Sequence, residues 1–252
     1  MNKKVPRLLL FDSVPLNLIN QDLFIKTFSY WVKQKQKKSI FYLNAHGVVT
    51  SFDSSGYLRA LKFADLIYPD GWGPAILARL FGHPWIERVN AADFIDKVLE
   101  ILNSQRAKLY LLGCEKETVA RTARVIKQKY KKINICGFHN GFFTKGEENR
   151  MLGEIRATKP NVLLIGMGIP KQELWVHNNW KRLPNGVYWT VGGLFYYISG
   201  LKSRAPLFMR RIGLEWLYRL FQEPRRLGKR YTVVNLKFMG RTFVSYLSKY
   251  FS

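Results

Sequence analysis

Residues 161–175 read NVLLIGMGIPKQELW. The run Val162–Gly168 carries no charge and ends in two glycines separated by one residue. A short, wholly apolar run closed by glycine is how a strand buried on both faces of a parallel sheet reads. Pro170 stops the run, and a helical pattern follows over Lys171–Lys181. Strand, glycine turn and helix in one stretch is the repeating unit of an α/β protein.

The same grammar extends outward in both directions. SIFYLN (39–44), AKLYLLG (107–113), INICGF (133–138) and GVYWTVGG (186–193) read as further strands. Helical patterns lie between them at Ala91–Ser104, Glu115–Tyr130 and Glu147–Thr158. The alternation predicts a Rossmann-like α/β fold, a mostly parallel sheet with helices on both faces. Gly113, Gly166, Gly168, Gly192 and Gly193 fall at strand ends, and ligands of open α/β sheets bind at the carboxyl ends of strands.

The rhythm stops near Gly200, which divides the chain into a core over 1–200 and an appendage over 201–252. The appendage reads as helical: Pro206 suits a first turn, and one pattern runs through FMRRIGLEWLYRLFQ to Pro224. A second pattern begins at Tyr231, where Val233, Leu236, Phe243, Leu247 and Tyr250 share one side. A basic amphipathic helix suits a membrane surface or a partner, and equally a terminal helix docked on its own core.

The chain of 252 residues has a formal charge of +24, so an anionic partner is expected. Charge is densest in 201–252, with 12 Lys/Arg against 2 Asp/Glu. Hydrophobic content of 47% excludes a disordered chain. Cys114 and Cys136 match no zinc or redox spacing and read as reduced. The apolar run after MNKKVPR breaks at Asp12, so no signal peptide is expected. No stretch approaches the roughly 18–20 apolar residues of a membrane span, and any membrane contact is expected to be peripheral.

Several positions could carry chemistry. Asp70 in YPDGWG is either a general base at a strand-to-helix turn or simply part of a Pro-Asp-Gly turn. Asn44 and His46 follow a strand and either bind a ligand or serve the loop. Arg88 precedes a helix starting near Asn90, where an arginine grips phosphate or pairs with Glu87 or Asp93. Gln172 opens a helix after an incomplete glycine motif. Its first turn is expected to face the cleft, so Gln172 holds a hydroxyl or a uracil edge, or is solvated. Arg204, Arg219, Arg225, Arg226, Lys229 and Arg230 suit a diphosphate if they converge, or a nucleic-acid patch if they do not. The four histidines are scattered, and no metal site or cofactor motif appears.

In order, Asn44, ADLIYPDGWG, ERVNAADF, LIGMGIPKQELW, VGGLFYYISG, RAP and GLEWLYRLFQEPRRLGKRY resemble the WecG/TagA/CpsF glycosyltransferase family over residues 40–250. The resemblance implies an inverting, metal-independent enzyme at the cytoplasmic face of the membrane. It implies a UDP-sugar donor and a polyprenyl-diphosphate-linked sugar as acceptor, with an anionic membrane surface as partner. Asp70 then falls on the family's catalytic base, and Arg88 and Gln172 on residues near donor and acceptor. Arg219, Arg226 and the Lys229–Arg230 pair fall on appendage residues that meet the diphosphate. Tyr42 stands where many relatives have threonine and Ala91 where glycine is usual, two departures that bear on the choice of sugar. The rival reading, a nucleic-acid-binding α/β protein, lacks any recognition motif. Oligomeric state stays open, a homo-oligomer included.

Overall fold

The computed structural model describes residues 5–83 and 86–251, apart from the side chains of 226, 229–231 and 245–251. It opens with an antiparallel hairpin, β1 (Arg7–Leu10) and β2 (Val14–Asn17), then α1 (Gln21–Lys33). A six-stranded sheet follows: β3 (Lys38–Leu43), β4 (Leu66–Pro69), β5 (Lys108–Gly113), β6 (Asn134–His139), β7 (Val162–Gly166) and β8 (Val187–Thr190). Its order is β4-β3-β8-β7-β5-β6, and every pairing is parallel.

Between β3 and β4 lie α2 (Ala45–Asp53) and α3 (Ser55–Phe63); between β4 and β5 lie α4 (Trp72–Leu80) and α5 (Ala91–Ser104). The remaining core helices are α6 (Lys116–Lys129), α7 (Lys145–Thr158), α8 (Lys171–Asn179) and α9 (Leu194–Ile198). Polar residues start many of them. Asn20, Asn44, Ser54 and Asn90 each accept a backbone N–H at a helix start, and Thr144 with Glu147 forms a capping box on α7.

Alternate strand residues serve opposite layers, as the two-residue period demands. Tyr42, Tyr68, Leu111, Leu164 and Trp189 pack against α1, α5, α6 and α9. Leu43, Ile67, Leu112, Ile165 and Tyr188 pack against the hairpin, α2, α3, α7 and α8. Trp189 anchors the first layer. Its ring stacks on Phe94 at 6.0 Å between centroids, and its Nε1–H donates to the Tyr68 hydroxyl at 3.2 Å. That bond satisfies the one polar atom of a fully buried indole.

After Gly200 the chain is helical but not as one piece. The expected run to Pro224 divides into α10 (Leu207–Arg211) and α11 (Glu215–Gln222) at Gly213, whose φ is +83°. A side chain there would be strained, and its Cβ would come within 3.0 Å of Trp72. Beyond the break, α12 (Pro224–Phe251) is one 28-residue helix with proline at its start, not a helix beginning at Tyr231. It lies on α2, where Lys237 pairs with Asp53 at 3.2 Å and Arg241 stacks on Phe52 at 4.0 Å. Part of the tail is therefore a helix docked on its own core, and among its described side chains Leu227 and Val234 are buried.

Candidate active site

The carboxyl ends of the strands open into a cleft of about 1070 Å³, ample for a sugar nucleotide. One wall comes from the ends of β3 and β4, with Asn44, His46 and Asp70. The floor comes from the turns after β5, β7 and β8, and α10, α11 and α12 close the far side.

Asp70 follows β4 directly. Its backbone N–H donates to the Leu43 carbonyl at 2.7 Å, which ties it to the neighbouring strand. Gly71 then turns the chain into α4 with φ +82°. Burial raises the Asp70 carboxyl to about 6, with Arg219 and Arg88 pulling it down and Glu215 and Asp93 pushing it up. The group therefore ionises just below neutral pH, where a general base is most useful.

Asn44 caps α2, accepting from the Gly47 N–H at 2.9 Å, and it also lines the cleft. The His46 segment is thus the start of a helix and not a loop.

Arg88 is held by two acids. Its guanidinium meets Asp93 at 2.7 Å and Glu215 at 3.5 Å. The pairing with Asp93 was one of the two sequence readings; the bridge to Glu215 joins the core to α11. Arg204 and Arg210 also bind Asp93, at 2.6 and 2.9 Å. Arg204 and Arg219 bind Glu215, at 3.4 and 2.7 Å. Burial opposes ionisation of Glu215, but Arg219, Arg204 and Arg88 outweigh it and hold the carboxyl below its ordinary value. Asp93 is likewise held down, against burial, by Arg88, Arg204 and Arg210. Two acids thus gather four arginines beside Asp70.

Of the appendage arginines expected to converge, Arg219 lines the cleft, beside Arg88, Arg210 and Arg211. Arg204 joins the network without lining the cleft. Arg219 packs over the Tyr197 ring at 5.4 Å. The side chains of Arg226, Lys229 and Arg230 lie outside the described residues.

Gln172 departs from expectation. It does not face the cleft: its side chain is fully buried, at 0% exposure, and its Oε1 accepts the backbone N–H groups of Gly168 and Gly192, each at 3.2 Å. The phase of the first helical turn presents Lys171 to the cleft instead, where its Nζ donates to the Gly141 carbonyl at 2.7 Å.

Sequence reasoning passed over Glu215 and Tyr197, and it named Asp93 only as a partner of Arg88. A signal for Glu215 was available, since it is one of two acids among the last 52 residues and sits inside the arginine-rich run. Among the described residues no three His, Cys, Asp or Glu side chains gather as a metal site would require.

The family model described as "Glycosyl transferase WecG/TagA/CpsF family" matches residues 10–251. A protein of Bacillus spizizenii is 29% identical over 193 residues, 76% of this chain and 74% of its own length; it is named N-acetylglucosaminyldiphosphoundecaprenol N-acetyl-beta-D-mannosaminyltransferase. A Staphylococcus aureus protein of the same name is 28% identical over 207 residues, 81% of this chain and 80% of its own.

Proposed function

The chain belongs to the glycosyl transferase WecG/TagA/CpsF family, and from that premise we propose that it moves a sugar from a UDP-sugar to a sugar carried on a polyprenyl diphosphate. The names of its relatives support this acceptor class and make N-acetylmannosamine the first donor sugar to test. Asp70 removes the proton from the acceptor hydroxyl. That oxygen forms a bond to the anomeric carbon from the face opposite the nucleotide. The bond from the anomeric carbon to the β-phosphate oxygen breaks, and UDP leaves with the electron pair. The configuration inverts because attack and departure lie on opposite faces.

The observation that carries this reading is Asp70 in the cleft, raised to about 6, beside Arg219 and Arg88. Base and counter-charge lie within one site, as transfer to a hydroxyl with a diphosphate leaving group requires. The reading gives the leaving charge to arginine and not to a resident metal. It is tested by measuring UDP release and product formation from UDP-N-acetylmannosamine and other UDP-sugars, with a short-chain lipid-diphosphate N-acetylglucosamine as acceptor. Transfer from at least one donor is expected, and no transfer from any of them sinks the reading.

The same reading has the protein work peripherally at the cytoplasmic face of a membrane. Leu207, Phe208, Phe221, Leu236 and Phe243 on α10–α12, and Ile212 just after α10, are all exposed among basic residues, an arrangement that suits an anionic lipid surface. No described helix is long and apolar enough to cross a membrane. Leu236 and Phe243 are 67% and 63% exposed, so charging them leaves the core intact. Co-sedimentation with anionic liposomes is expected to fall about tenfold or more in Leu236→Glu/Phe243→Glu, with thermal stability unchanged. Unaltered sedimentation would refute the membrane role of α12.

A further inference from the structure

The turns after β7 and β8 form the floor of the cleft, and glycine lets them crowd together. A Cβ on Gly166 would come within 2.6 Å of the Gly192 carbonyl, and one on Gly192 within 2.6 Å of the Tyr42 hydroxyl. Backbones this close need a fixed spacing, and the strand ladder has already ended at Ile165 and Thr190. Gln172 bridges the gap. Its Oε1 accepts from Gly168 in one turn and from Gly192 in the other. Its own backbone N–H returns to the Gly168 carbonyl at 3.1 Å. Its Nε2 donates at 2.7 Å to Oε1 of Glu173, which is as fully buried as Gln172 itself. The two backbone donors and the acid partner fix which end of the amide points where.

The geometry points to Gln172 and Glu173 as a positioning pair for the transfer reaction: Gln172 clamps the two glycine turns that floor the cleft, and Glu173, by accepting from its amide, holds Gln172 in that pose. Neither touches a ligand; each acts through the turns. The inference rests on the sugar-transfer reading for its purpose, though not for its geometry.

The surroundings of Glu173 favour the neutral form. The groups that face it are hydroxyls: Tyr57 of α3, Tyr68 of β4 and Thr190 of β8. Tyr42 of β3 acts in turn on Tyr57 and Tyr68. Among the described residues no cation compensates it. Burial pushes the carboxyl up to about 8, against the hydrogen bond from Gln172. Its second oxygen and the Tyr57 hydroxyl are buried, and the Thr190 hydroxyl lies near enough to favour the ionised form without outweighing burial.

The linkage sign follows. The folded carboxyl titrates well above its ordinary value, so its full stability is present below about 4.5 and is lost as pH rises through about 8. Activity should share that alkaline limb: the carboxylate still accepts from Gln172, but a charge buried with no compensating cation destabilises the packing that holds the seam.

The test compares Glu173→Gln with Glu173→Leu. Glutamine reproduces the neutral acid, accepting from Gln172 and donating from its own amide, whereas leucine fills the space without either bond. Glu173→Gln should keep kcat at pH 7 within about threefold of wild type, lose the alkaline limb, and gain in melting temperature over wild type more at pH 8 than at pH 5. Glu173→Leu should lower kcat at least tenfold more than it affects acceptor KM. Amide exchange at Gly168 and Gly192 should quicken at least tenfold in that variant and not in Glu173→Gln. The inference is overturned by an identical alkaline limb in Glu173→Gln, or by unchanged exchange and kcat in a folded Glu173→Leu. If the leucine variant does not fold, the pH profile of Glu173→Gln decides alone. Wild type that transfers no sugar sinks the functional reading, and the exchange data still judge the clamp.

Discussion

Asp70→Asn is expected to lower kcat about 10³-fold, within the span ascribed to a general base, and to leave a folded protein that still binds UDP. Asparagine keeps the shape of the turn and the backbone bond to Leu43, since that bond uses no side-chain atom. It cannot take the acceptor proton. Stability should not suffer at pH 7. The folded carboxyl titrates near 6 and the ordinary one near 3.8, so ionising it costs stability as pH rises through that window. The neutral amide escapes that cost, which is no more than about 3 kcal/mol for a shift of this size. In wild type the same carboxyl gives kcat/KM an acid limb near pH 6. Measuring kcat, UDP affinity and melting temperature on the one variant separates the outcomes. Full activity removes Asp70 as the base, and loss of folding would mean that the turn, not the proton transfer, depends on this residue.

Removing Arg219 is expected to produce the second largest loss, about 10²-fold or more in kcat/KM for Arg219→Ala, with partial recovery in Arg219→Lys. Three effects act together. The cleft loses positive charge where diphosphate charge develops. Glu215 loses its 2.7 Å partner and its hold on Arg204 and Arg88 changes. Asp70 loses the largest influence drawing its pKa down, so the acid limb moves to a pH above 6. That last change distinguishes Arg219 from a residue that merely packs on Tyr197. A normal kcat/KM with an unshifted limb would remove Arg219 from the site.

Much of the core was legible because its strands are buried on both faces. A strand with two apolar faces reads as an unbroken apolar run, and the runs at 107–113 and 161–168 became β5 and β7 within two residues at each end. The hairpin β1–β2 and the nine-residue helices α2, α3 and α4 were not legible. Four-residue strands and short helices carry too little periodicity to stand out. The break at Gly213 was missed because the residues on either side keep a helical pattern through it, while the turn is fixed by close packing on Trp72. The site divided in the same way. Asp70, Arg88 and Arg219 were each visible with a bland alternative attached; only the family resemblance implied that they share one site, and spacing along the chain did not.

By itself the chain determined its alternation of strand and helix, the glycine turns that end its strands, and the basic, aromatic character of its last fifth. All of these depend on residue type and local spacing. Tertiary structure decided which of those residues work together. It brought α11 back across more than a hundred residues to set Arg219 beside Asp70, and placed Glu215 and Asp93 among four arginines. It also turned Gln172 away from the cleft and into the seam between two turns. Electrostatic coupling and hydrogen bonding depend on distance in space, and sequence separation leaves that distance undetermined until the layers pack.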